Sequence, residues 1–115
     1  MLELLSPAGS MEALRAAVQN GANAVYLGVG NLNARQSAKN FTPQTLVDAV
    51  KYCHVRGVDV HLTLNTLVSD REMKEAAELI RHAAQYNIDA FIVQDLGVVQ
   101  LCRQIAPHIP IHGST

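Results

Sequence analysis

Much that would announce a function is missing from these 115 residues. No apolar run approaches the ~20 residues that a membrane-spanning helix needs, so no membrane span is expected. The start, MLELLSPAGS, has no basic region and an acid at its third position, and does not read as a secretory signal. The formal net charge is −1, which removes the broad basic field that captures nucleic acid by electrostatics alone. Only two cysteines occur, Cys53 and Cys102, far apart and without ligand-like neighbours in sequence. They read as structural thiols of a reduced, cytoplasmic protein. There is no P-loop lysine, no GxGxxG, no local metal-ligand cluster and no serine in a nucleophile elbow. The single GxG in LGVGNLNA is weak.

What is present is a globular composition, 49% hydrophobic and 17% charged, with one pattern running through it. LELLSP reads as a first strand, and GSMEALRAAVQNG as a helix capped by Ser10 and stopped at Gly21. AVYLGV is a second strand. Thr42-Pro43 opens a second helix, through Leu46, Val47, Val50 and Cys53, which Gly57 ends. VDVHLTLN is a third strand. Ser69 and Glu72 have capping-box spacing at the head of the longest helix, with Met73, Ala76, Ala77, Ile80 and Ala83 on its buried side. AFIVQD is a fourth strand. Asp95 caps a fourth helix that Pro107 ends, and IPIHGST is the fifth strand.

Strands alternating with helices specify a parallel sheet with right-handed crossovers. Two architectures fit: an open doubly wound sheet, or part of an eightfold barrel. On the third strand Val58, Val60, Leu62 and Leu64 point one way, and Asp59, His61, Thr63 and Asn65 the other. A central strand of an open sheet is covered on both sides and should be apolar on both. A barrel strand is apolar under its helices and can be polar in the lumen. The fold expected is therefore α/β, a partial TIM-type (β/α) barrel of five parallel strands and four helices. A complete barrel takes roughly 250 residues and seldom fewer than about 200. Residues 1–115 are accordingly expected to be the N-terminal part of a barrel domain, cut short in its fifth strand. The plainer alternative is a small five-stranded open α/β protein.

In such barrels the chemistry stands at the carboxyl ends of the strands and in the loops that follow. Those positions single out His112, Asn65 and Asp95 as catalytic candidates, and Ser6, Arg35, Gln94 and Ser114 as substrate-binding candidates. No metal ligands are nominated. Each has a plainer reading beside it. Asp95 is accounted for as a helix cap, Arg35 as part of a solvated loop, and His61 as a hydrogen-bonded interior residue. His54, His82 and His108 read as surface. Physics of the sequence locates a site and specifies no reaction.

The stretches ELLSPAGSMEALRAAVQNGANAVYLG, LTLNT, DAFIVQDLGV and IHGST, in that order, resemble the N-terminal half of peptidase family U32, the collagenase-like proteases. NARQSAKNF and LNTLVSDRE resemble most the branch that includes the ribosomal RNA hydroxylase. The resemblance implies one of two activities for a longer parent. One is hydroxylation of a base in RNA, or of a quinone; the other is peptide cleavage, for which the family has no assigned catalytic type. It also implies an iron–sulfur cluster held by cysteines further along the parent chain, to which Cys53 and Cys102 do not correspond. Residues 1–115 are expected to hold no cofactor, to be an inactive scaffold alone, and to self-associate through a sheet edge or the exposed inner face.

Overall fold

The computed structural model describes residues 4–29, 41–64 and 70–113. The candidates Arg35, Asn65 and Ser114, and the Ser69–Glu72 capping box, lie outside the described residues.

The chain lays down β1 (Leu5–Pro7), α1 (Met11–Gln19), β2 (Ala24–Leu27), α2 (Pro43–Val55) and β3 (Asp59–Leu64). It continues with α3 (Asp70–Gln85), β4 (Ala90–Val93), α4 (Leu96–Ile105) and β5 (Ile111–Gly113). All five strands are parallel, in the order β1-β2-β3-β4-β5. This order separates the two architectures. A doubly wound sheet reverses direction partway, which places helices on both faces. Here every crossover advances one strand in the same sense, and right-handed crossovers then put every helix on one face. The other face is the incipient lumen, and five strands leave the barrel open. This is an α/β, TIM-like arrangement.

The core lies between sheet and helices. Val25, Val60, Leu62 and Phe91 are fully buried on the helix side of the strands, and Leu14, Leu46, Ile80 and Val98 meet them from α1 to α4. Helix starts follow the expected chemistry. Ala13 N–H donates to Ser10 Oγ at 3.1 Å. Thr42 and Thr45 form a reciprocal capping box, with Pro43 at the first helical position.

The helix ends repeat one device. Gly21, Gly57 and Asn87 adopt φ of +91°, +72° and +70° just beyond α1, α2 and α3. The next residue in each case, Ala22, Val58 or Ile88, is buried and donates its N–H back to Ala17, Cys53 or Ala83 respectively. These are Schellman turns, in which a left-handed residue lets the chain reverse while two terminal carbonyls are satisfied. Asparagine serves at the third because it tolerates the left-handed region better than other side chains do. The fourth helix ends differently, at Ala106 with φ −135°.

Several strands are shorter than expected. β2 stops at Leu27, and Val29 instead forms an isolated parallel bridge with Phe41 just before α2. β5 starts at Ile111 rather than Ile109; Ile109 is buried and donates to the Ala106 carbonyl. Among the described residues no helix is long and apolar enough to cross a membrane.

Candidate functional site

Register determines which side chains share the inner face. Tyr26, His61 and Ala90 are level with one another on β2, β3 and β4. One step nearer the carboxyl ends, Thr63, Ile92 and His112 form a second row. The imidazoles of His61 and His112 stack, with centroids 5.3 Å apart and planes inclined by 27°. Their strands are not neighbours, because β4 runs between them. Two strand spacings amount to roughly 9.6 Å. Both side chains therefore lean inward over β4, where Ala90, level with His61, offers only a methyl group. His61 is 8% exposed, whereas His112 is exposed near the end of its strand.

The other candidates are dispersed. Thr63 Oγ1 donates to the Leu27 carbonyl at 2.7 Å, closing off the end of β2. Asp95 Oδ1 accepts from Val98 N–H at 3.1 Å, so this carboxylate caps α4 as its plainer reading holds. Gly97 fits tightly behind it; a Cβ there would stand 3.0 Å from Asp95 Oδ1 and 3.5 Å from Met73 Cε. Gln94 is exposed after β4. Ser6 pairs in register with Val25, in the row that faces the helices and not the lumen. The structure thus brings His61 and His112 together, and engages Asp95 in its own helix.

The opposite end of the sheet is polar and well bonded. Asp89 Oδ2 lies 2.7 Å from His54 Nε2 and accepts from Val60 N–H at 2.7 Å. Asn23 Oδ1 accepts from Leu4 N–H at 2.7 Å in the comparable place two units earlier. Arg56 lies 3.7 Å over the Tyr52 ring, beside a groove of about 530 Å3 between the ends of α1 and α2. In βα barrels this end serves stability. His82, expected as a surface residue, is half-buried and bonds the Pro43 carbonyl at 2.7 Å.

Among the described residues no group of three or more His, Cys, Asp or Glu is placed to hold a metal ion. Cys53 and Cys102 are free and fully buried in separate helices. Burial pushes both thiols up to about 11; near Cys53, Asp89 adds to the rise and Arg56 opposes it. Thiols held protonated in this way are poor nucleophiles and poor metal ligands.

Signals for the stack were partly visible. Alternation on β3 and β5 marks both histidines as inward, but their meeting depends on the register across β4 and on Ala90.

Known proteins place these features in context. The chain is 43% identical over 115 residues to a tRNA hydroxylation protein P of Helicobacter pylori, covering 99% of this chain and 27% of that protein. It is 40% identical over 114 residues to a 23S rRNA 5-hydroxycytidine synthase of Escherichia coli, covering 99% and 17%. It is also 40% identical over 114 residues to an uncharacterized protease of Methanocaldococcus jannaschii, covering 99% and 28%. The chain therefore spans between 17% and 28% of the length of these three relatives. A solved U32 peptidase, Mk0906, superposes with a TM-score of 0.72 at 15% identity, over 98% of this chain and 47% of that one. That likeness establishes the fold alone. Residues 9–115 match Peptidase family U32, and the chain belongs to that family.

Proposed function

We propose that the chain supplies the first five strands of a barrel that hydroxylates a pyrimidine base of RNA. The observation that carries this reading is the 43% and 40% identity, along essentially the whole chain, to a tRNA hydroxylation protein and to a 5-hydroxycytidine synthase. The inner face is consistent with it: Tyr26, His61, Thr63 and His112 offer rings and hydrogen-bonding groups at the end where barrels hold substrate. Arg35 and Ser114 are proposed for substrate contacts, and Asn65 as a catalytic candidate, by their place in the sequence.

The iron–sulfur cluster implied for such a parent does not fit the residues described here. The two thiols sit on separate helices, buried and protonated, so the cluster would be held outside residues 1–115. No step through it is derived.

A second reading, peptide cleavage, draws on the family's name and on the relative called a protease. The buried thiols remove cysteine nucleophiles from it within this chain. Mass spectrometry of RNA from a strain lacking the gene decides between the two readings. Hydroxylation predicts the loss of one oxygen from a pyrimidine nucleoside. Unaltered RNA, with a collagen-like peptide cleaved by the full-length protein, would establish the peptidase instead.

Residues 1–115 alone are proposed to be inactive and to self-associate, through an edge strand or the uncovered inner face. Light scattering is expected to give a mass above that of one chain; a monomer at high concentration would refute this.

A further inference from the structure

Resting on the RNA reading above, we propose that the stacked His61–His112 pair is the seat of the substrate base, with the base continuing the stack on the outer face of His112. Four observations converge on it. The rings already stack at 5.3 Å and 27°, so one face of His112 is taken by His61. His61 is nearly buried and forms a fixed floor, while His112 is exposed. His112 stands in the row nearer the carboxyl ends, where barrels bind their substrates. Ala90 leaves the gap over β4 through which the rings approach.

A planar heterocycle gains from stacking on a flat ring whatever its substituents, and such contacts commonly carry single-stranded base recognition. Sequence discrimination would come from polar groups at the rim. His112 acts here as a binding surface, and its ring nitrogens need not exchange a proton with the substrate.

The test uses the full-length protein with cytidine 5′-monophosphate and ribose 5-phosphate as probes, bound in parallel titrations followed by the imidazole NMR signals. The wild type is expected to prefer the nucleotide about tenfold, with upfield ring-current shifts at His112. His112→Phe keeps a flat ring and should keep that preference. His112→Leu and Ala90→Leu, the latter wedging the rings apart, should abolish it while ribose 5-phosphate binding stays the same. Equal loss in the Phe and Leu variants would overturn stacking in favour of a role for the ring nitrogens. An unchanged preference in His112→Leu would overturn the site altogether. Because RNA hydroxylation is read separately by mass spectrometry, modified RNA with a preference indifferent to His112 sinks only this inference. Unmodified RNA with the preference intact sinks only the functional reading.

Discussion

The two ends of the sheet are built on different rules. At the end where helices hand over to strands, one solution recurs: a left-handed residue, a buried apolar residue, then a polar side chain near the next strand's start. It appears as Gly21-Ala22-Asn23, Gly57-Val58-Asp59 and Asn87-Ile88-Asp89. At the other end, among the described residues, the helix starts share a side-chain cap and the connections leading to them differ. β1 leads straight to a serine-capped helix, β2 into a connection of more than ten residues, and β4 through an aspartate cap into α4. Repetition marks what every unit needs in order to pack, and variation marks what a site needs in order to be particular. The histidine stack stands toward the varied end.

The contrast can be broken by substitution. The largest effect is expected at the repeated end. Ile88→Ala empties a buried anchor and should cost about 3 kcal/mol in denaturant unfolding; a loss under about 1 kcal/mol would mean the turn is not anchored there. Alkaline pH should strain the same end, because both cysteines lie in last turns whose carbonyls accept returning N–H groups. Their thiols ionise near 9 in the unfolded chain and near 11 in the fold. The stability they confer is therefore intact below pH 9 and lost as pH rises through 11. Melting temperature should fall across that window, and less so in a Cys53→Ala Cys102→Ala variant. A flat profile would show that burial does not hold the protons.

Asp89→Ala comes next, at about 1–2 kcal/mol, since it strands the Val60 N–H and removes the partner of His54. Asp89→Asn keeps an acceptor and should recover most of that loss. The smallest effect belongs to the varied end. Asp95→Ala should cost about 1 kcal/mol as a lost cap, and Asp95→Asn should restore that stability together with whatever activity the RNA assay proposed above detects in the full-length protein. Activity that stays lost in the Asn variant while its stability returns would give Asp95 a role beyond the cap.

How far the sequence revealed this is clearest on β3 and β4. The alternation from Val58 onward showed which side chains face the helices, because a period of two is fixed by the strand itself. It carried no information on where hydrogen bonding to a neighbour stops. Hence β2 ends two residues before its apolar run does, and β4 two residues before the strand expected over AFIVQD. Caps were legible at Ser10, Thr42 and Asp95, because each is a local contact three residues long. The meeting of His61 with His112 was not, since it joins residues on two strands through the smallness of a third residue between them. Asn87 as a turn residue was missed for a related reason: glycine advertises a left-handed backbone, and asparagine does so only faintly.

The bridge between Val29 and Phe41 has a structural corollary. It fastens both feet of the intervening connection to one spot, and both residues are embedded in the hydrophobic interior. A span tethered like this behaves as an interchangeable cassette: doubling its length adds only about 0.6 kcal/mol of closure entropy, and the staves beneath need not shift. Changes of length between these two anchors are therefore expected to leave the sheet and its core in place.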